Sequence, residues 1–260
     1  MTKVQFKHME GVSLAAETIG HIGPLPITNT FVTTWVVTGI LILFAFISTR
    51  HVKKIPGPLQ NFAEFTVESF RNMVEPLAGD KTKVFFPIVA SFFFFILVAN
   101  YFGLLPGVGT IGFFESLPAS PTPTQHPVFV PLFRSINSDL NTTLALALVS
   151  VVATHYFAIK YLGLKGYMAK WFSINPIILF VGLIELAGEI TKVISLSFRL
   201  YGNIYAGESV LETASHKLFA FIIPIPFYSL EIIVGFVQAL VFSMLTLAFM
   251  VILTQKHEAH

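Results

Sequence analysis

The sequence has 260 residues, of which 54% are hydrophobic and 12% are charged, and its mean hydropathy is +0.75. Soluble domains carry about 25% charged residues, so this composition excludes a water-soluble globular fold. The 16 Lys and Arg against 14 Asp and Glu leave a net charge of +2, too small for a face that follows nucleic-acid phosphates. The sequence contains no cysteine, which excludes disulfides and thiolate metal sites. We expect no nucleic-acid partner, no metal and no cofactor.

Three uncharged runs are long enough to cross a bilayer as single helices. About 20 apolar residues span a hydrocarbon core of ~30 Å, and we predict spans over residues 30–49, 84–105 and 140–159. Residues 59–77 mix Phe and Met with Glu and Arg, a pattern typical of an amphipathic helix on the membrane surface. The proline-rich stretch between the second and third spans is predicted to be an uncharged loop.

Two further apolar stretches, residues 172–214 and 218–255, are each about twice as long as a single crossing requires. Such helices must be steeply tilted or broken. We therefore predict an all-α integral membrane protein with five membrane-crossing segments. Residues 30–260 form its single membrane domain, and residues 1–29 form an external N-terminal segment.

Ionisable residues inside the fourth segment are the first candidates for function, because a charge at the bilayer centre costs ~3 to more than 10 kcal/mol. At about 100° per residue, five polar side chains fall within a helical stripe about 80° wide: Glu185, Glu189, Lys192, Arg199 and Asn203. Glu208 and Glu212 point away from this stripe. The guanidinium of Arg199 stays charged in any protein environment, so it would act as a gate and not as a proton carrier.

The fifth segment carries one acid, Glu231, with Gln238 seven residues later on nearly the same face. No basic residue neighbours Glu231 in sequence, so this carboxylate needs a partner from another helix. A desolvated carboxyl without a cation can gain and lose protons near neutral pH.

Each of these candidates also has a structural interpretation. Glu185, Glu189 and Lys192 would form an ion-pair cluster at the inner end of the helix. Arg199 would pair with a lipid phosphate or a local acid, Glu208 would lie at the outer interface, and Glu231 would be a satisfied core acid. Asp139 would only cap the third span. His155, near the end of that span, is more often a packed or interfacial side chain than a proton relay.

The string S-L-S-F-R-L-Y-G-N-I-Y-A-G-E at Ser195–Glu208 resembles the a subunit of F-type ATP synthases, whose S-L-x-x-R-L-x-G-N-x-x-A-G-E pattern it matches at every fixed position. The resemblance extends to F-V-Q-A-L-V-F at Phe236–Phe242 and to D-L-N-T-T at Asp139–Thr143. It covers most of the chain from about Pro58 onward.

The resemblance implies a proton-translocating stator subunit that is not catalytic by itself. Arg199 would face the ring of c subunits and separate two offset half-channels. The remaining roles that the resemblance implies fall into three groups: an outer path of Glu208, Glu231, Asp139 and Asn141, an inner path of Glu185 and Glu189, and supporting residues Asn203, Gln238 and Lys192. Gln238 would lie near Arg199 across the last hairpin. Expected partners are the c-ring, b-type peripheral stalk subunits and the lipid bilayer, with H⁺ favoured over Na⁺ as the ion, in a bacterial plasma membrane.

Two other classes of protein fit the sequence less well. A self-contained, ion-coupled secondary transporter should show an internal repeat with two broken helices in equivalent positions, and the sequence has no such repeat. An intramembrane enzyme should carry H-E-x-x-H, a Ser paired with Lys or His at helical spacing, or an Asp dyad, and none is found.

The Lys and Arg residues outside the spans predict the orientation. One side receives four of them (Lys3, Lys7, Arg134 and Lys217) and the other receives ten (Arg50, Lys53, Lys54, Arg71, Lys81, Lys83, Lys160, Lys165, Lys170 and Lys256). Because the basic side is cytoplasmic, we predict an external N-terminus and a cytoplasmic C-terminus.

Single-cysteine labelling tests this orientation in a chain without native cysteine. With a membrane-impermeant thiol reagent, Thr124→Cys is expected to react only from outside, and Lys165→Cys only from inside. Reaction of either cysteine from the opposite side alone would reject the orientation.

Overall fold

The computed structural model describes residues 16–23, 25–115, 128–171, 176–217 and 224–255. Six α-helices make up most of this structure: α1 (Asn29–Thr49), α2 (Pro58–Ala78), α3 (Thr82–Gly103), α4 (Leu140–Trp171), α5 (Pro176–Lys217) and α6 (Pro224–Leu253). The predicted all-α architecture is confirmed for these membrane-length segments, and short strands lie outside them.

Five short strands lie outside the helices: β1 (Thr18–Ile22), β2 (Leu25–Thr28), β3 (Pro106–Gly109), β4 (Gly112–Glu115) and β5 (Val128–Pro131). β1 pairs with β2, and β4 pairs with β5, both antiparallel. The last three strands replace part of the predicted loop after the second span. Pro106 follows the end of α3 closely, and Gly107 and Gly109, both with positive φ, turn the chain there.

Four stretches of the described residues are long and apolar enough to cross a membrane: Asn29–Thr49, Pro58–Gly103, Leu140–Met168 and Pro224–Leu253. The chain is therefore a multi-pass integral membrane protein. Helix α5, which carries the charged stripe, is not among these four stretches. Five crossings and a surface position for α2 remain predictions.

Helix α2 forms where the amphipathic pattern predicts a helix. Pro58 occupies its first turn, where the missing N–H costs nothing. Phe70, Val74 and Ala78 are buried along one face, and the ring of Phe70 stacks on that of Phe93 in α3 with centroids 4.3 Å apart. One side of α2 is thus fixed to the bundle.

Helix α4 runs beyond the predicted end of the third span at Ile159. Lys160 is exposed and does not end the helix, because lysine is a good helix former whose charge remains solvated. The helix instead bends at Gly163, where φ is 73°. Beyond this bend, the rings of Tyr167 and Trp171 approach His155, with centroids 5.9 and 6.3 Å from its imidazole.

The predicted boundaries of the last two segments differ from the helices observed. α5 begins at Pro176 and ends at Lys217, and α6 begins at Pro224 and ends at Leu253. The predicted starts, at residues 172 and 218, fall in stretches outside the described residues.

The core lies between α2, α3, α4, α5 and α6, where Phe85, Ile96, Leu200, Leu247 and Met250 are almost completely buried. Polar side chains connect the helices through this apolar interior. The Thr143 and Ser197 hydroxyls join α4 to α5 at 3.2 Å, and the Ser150 and Thr246 hydroxyls join α4 to α6 at 2.8 Å.

Asn100 connects α3 to two other parts of the bundle. Its side-chain amide donates to the Gly235 carbonyl of α6 at 2.9 Å, and its side-chain oxygen accepts from the Asn137 amide at 2.7 Å. The absence of a side chain on Gly235 permits this approach, since a Cβ there would lie 3.2 Å from the Asn100 Cβ. These bonds hold α6 against α3 beside the segment that leads into α4.

Candidate ion-translocation site

Acidic side chains from two helices lie near each other where α5 crosses α6. Glu231 is buried, with 5% of its surface exposed. Its carboxylate lies directly against Gly207, where an added Cβ would collide with it. The Glu208 carboxylate is close enough for its charge to interact with that of Glu231. The partner that Glu231 meets across the helix interface is thus a second acid.

Gly207 makes this geometry possible, although no role was expected for it from the sequence. The missing side chain leaves room for a carboxylate from α6, as close approaches between helices in membranes commonly require a small residue. Its place directly before Glu208 in the Ser195–Glu208 string was the available signal.

Asp139 caps helix α4. Its carboxylate accepts from the Asn141 backbone N–H at 3.0 Å and from the Thr30 hydroxyl at 3.1 Å, and the side chain is buried. The capping interpretation therefore describes its bonding. The side chain of Asn141 is exposed, and its contact with Asp139 is made through the backbone.

Further ionisable groups surround Asp139. Arg134 is buried, and its Nε donates to the Ser138 hydroxyl at 3.2 Å. Burial raises the pKa of the Glu17 carboxyl above its usual range, while the positive charge of Arg134 acts to lower that pKa. The phenol of Tyr201 lies within electrostatic range of both Arg134 and Asp139. Sequence reasoning treated Arg134 only as a charge for orientation and did not consider Glu17 or Tyr201.

Arg199 is exposed on the surface of the bundle, and its guanidinium donates to the Ser195 hydroxyl of the same helix at 3.4 Å. An open cavity of about 320 Å³ lies beside it, lined by Gly188, Thr191, Lys192, Ser195, Leu196, Arg199, Leu245 and Phe249. The charge of Arg199 is thus presented outward.

The other stripe residues differ in environment from Arg199. Asn203 is exposed one helical turn further on, whereas Glu185 is half-buried and Glu189 is buried. The predicted stripe therefore does not share one environment along α5. Gln238 on α6 is half-buried, and among the described residues Arg199 is hydrogen-bonded to Ser195 and not to Gln238.

Glu189 is held by a cation and approached by an imidazole. The Lys192 Nζ donates to its Oε1 at 2.6 Å and also lies 4.7 Å from the centroid of the Phe249 ring. The His155 Nε2 lies 3.8 Å from the Glu189 Oε2. The contact with Lys192 has the geometry of the ion pair considered above, and the contact with His155 was not anticipated.

Comparison with known proteins supplies the family. The model of the family described as "ATP synthase A chain" matches residues 31–251. The chain belongs to this ATP synthase family. It is 31% identical over 239 residues to ATP synthase subunit a of Moorella thermoacetica, covering 92% of this chain and 96% of that protein. It is also 35% identical over 230 residues to ATP synthase subunit a 3 of Pelobacter propionicus, covering 87% of each chain.

A third relative is ATP synthase subunit a of Trichlorobacter lovleyi, 33% identical over 235 residues that cover 89% of each chain. The resemblance to the ATP synthase a subunit noted in the sequence is thus confirmed over nearly the whole chain. The match also includes most of α1, which precedes the part of the chain from about Pro58 onward that carries the resemblance.

Gly207→Ala tests the close approach between α5 and α6. The added methyl group must displace the Glu231 carboxylate, and we expect proton flux through the assembled complex to fall by roughly tenfold, measured in vesicles with a pH-sensitive dye. Gly39→Ala is the matched control, because a Cβ at this helical glycine of α1 meets nothing within 4 Å. Equal flux in both variants would contradict the proposed importance of this contact.

Proposed function

We propose that this chain forms the stator side of a proton path in a rotary ATP synthase, with Arg199 separating an outer from an inner half-channel. The observation that carries the proposal is the placement of Arg199. Its charged side chain is exposed on α5. Along this helix, Arg199 lies between Glu208 and the buried Glu189, and Glu208 is near the buried Glu231 of α6.

Membership in the ATP synthase A chain family favours this function over a self-contained secondary transporter. The relatives carry the name ATP synthase subunit a, which denotes a subunit of a larger complex. Subunit a is the membrane channel subunit of its complex, so the chain is not an enzyme by itself.

The outer half-channel would contain Glu208, Glu231, Asp139 and Asn141. A proton would pass from the outside to the shared Glu208 and Glu231 pair and then to a carboxylate on the rotor. Once neutral, the rotor carboxyl can move into lipid, whereas its charged form could not. Rotation would therefore require proton binding.

The inner half-channel would contain Glu185 and Glu189, with Lys192, Asn203 and Gln238 in supporting roles. As a protonated rotor site approaches Arg199, the permanent positive charge favours the ionised carboxylate, so the proton is released. The same charge repels protons and blocks a direct leak between the half-channels. The open cavity beside Arg199 and Lys192 supports a water-filled path on this side.

The partners implied are a ring of c subunits against the exposed face of α5, b-type stalk subunits and the lipid bilayer. We place the protein in a bacterial plasma membrane with an external N-terminus and a cytoplasmic C-terminus. H⁺ is the favoured ion over Na⁺.

Glu231→Gln tests the outer half-channel. Carboxyl and amide groups have similar size, but only the carboxyl releases a proton, so flux is expected to fall by roughly tenfold while assembly is unchanged. Glu68→Gln, at an exposed position on α2, is the control. Wild-type flux in the assembled Glu231→Gln complex would show that Glu231 is a structural acid.

Arg199→Ala tests the central assignment. We expect this variant to lose proton-driven ATP synthesis and to gain passive proton leak, because the rotor carboxylate is no longer forced to ionise and the barrier is gone. Arg199→Lys is expected to assemble and make little ATP, since lysine lacks the planar fork and can lose its proton when desolvated. Both are measured in vesicles containing the assembled complex. Near wild-type ATP synthesis by Arg199→Ala would refute the proposal, and a purely structural Arg would instead give poor assembly.

A further inference from the structure

The imidazole of His155 lies between a buried carboxylate and a phenol. Its Nδ1 is 3.0 Å from the Tyr167 hydroxyl, and its Nε2 is 3.8 Å from the Glu189 Oε2. Glu189 is buried, whereas Tyr167 is partly exposed. Nε2 of the ring thus faces a carboxylate in the bundle interior, and Nδ1 faces a hydroxyl nearer the surface.

On the other side of Glu189, the polar groups reach the cavity beside Arg199. The second oxygen of Glu189 binds Lys192, and Lys192 lines the cavity together with Arg199. A series of polar groups therefore runs from the cavity through Lys192, Glu189 and His155 to Tyr167. The aromatic rings of Trp171 and Phe249 border this series.

Charge balance alone does not account for the position of His155. Lys192 already neutralises Glu189 through Oε1, so the imidazole faces the oxygen that this cation leaves open. A histidine that only filled space would not need one nitrogen near a carboxylate and the other near a hydroxyl. Imidazole also gains and loses protons near neutral pH and carries two distinct nitrogens, which suits it to relaying protons.

We propose that His155 relays protons between Glu189 and the inner aqueous side, with Tyr167 as the last protein group of the path. The proposal rests on the proton-path function given above and adds its inner terminus. When a proton leaves Glu189 toward the inner aqueous side, the O–H bond of the Glu189 carboxyl breaks as a bond forms between that proton and His155 Nε2. The proton on Nδ1 then passes to the Tyr167 oxygen while the phenol gives its own proton to water.

No electron is transferred in this step, and the neutral ring returns to its first tautomer before the next proton arrives. The 3.8 Å gap between Nε2 and Oε2 is longer than a hydrogen bond. A small side-chain rotation or one bridging water closes it. Tyr167 is in position because α4 bends at Gly163, which brings the turn that carries the phenol back toward His155.

His155→Gln in the assembled complex is the first test. Glutamine retains hydrogen bonding but cannot carry a proton, so we expect passive flux and ATP-driven pumping in vesicles to fall by roughly tenfold. His51→Gln, at an exposed position outside the cluster, is the matched control and is expected to retain wild-type flux. Wild-type flux in the assembled His155→Gln complex overturns the proposal.

Chemical rescue separates a relay from a structural role. In His155→Ala, added imidazole is expected to restore flux at least about threefold, because the free base occupies the vacated space and carries the proton. Reduced flux that imidazole does not restore overturns the relay. If the His155 variants do not assemble, Tyr167→Phe decides, since it removes only a hydroxyl. Lower flux in assembled Tyr167→Phe supports the proposal, and unchanged flux overturns it.

The Arg199→Ala complex distinguishes failure of the His155 relay from failure of the proton-path function. Loss of coupling in Arg199→Ala together with normal flux in His155→Gln rejects only the relay. Intact coupling in Arg199→Ala rejects the proton-path function itself.

Discussion

The structure depends on the high cost of placing a charge in lipid. In the predicted five-crossing topology, α5 carries Glu185, Glu189, Lys192, Arg199 and Glu208 through the bilayer, so each charge would need a partner, water or a second subunit. The described contacts meet this need differently along the helix. Glu189 is paired with Lys192, Arg199 lies at an open cavity, and Glu208 lies near a second acid.

These three solutions divide the helix into regions with different electrostatic environments. Near Glu208 a second carboxylate adds negative charge, whereas at Glu189 a lysine supplies positive charge. The exposed guanidinium lies between them in sequence. In the proposed function, a rotor site would thus pass from a region that supplies protons to one that accepts them.

The features that depend on local composition could be predicted from the sequence. Apolar runs located the helices α1, α3 and α4, and the fourteen-residue string around Arg199 was enough to indicate the family. The extension of α4 beyond Ile159 was not predicted, because the sequence pattern predicts the end of the helix at Lys160. Lys160 instead lies within α4, and its side chain is exposed.

Contacts between distant parts of the chain could not be predicted in the same way. A helical wheel places Glu189 and Arg199 on one stripe, yet it does not show that α4 covers the first and leaves the second open. The approach of Glu231 to Gly207 and that of His155 to Glu189 each join different helices. Such contacts depend on how the helices cross, and the residue pattern of a single sequence does not reveal that crossing.

The hydroxyl pairs that join α4 to its neighbours have a mechanical consequence. In the proposed function, a rotor turning against α5 would exert a sideways load on that helix, which close packing and hydrogen bonds to its neighbours would resist. The Thr143 to Ser197 and Ser150 to Thr246 bonds are directional and lie in the interior, where no water competes for them. They would transmit torque to α4 and α6 without adding a charge near the proton path.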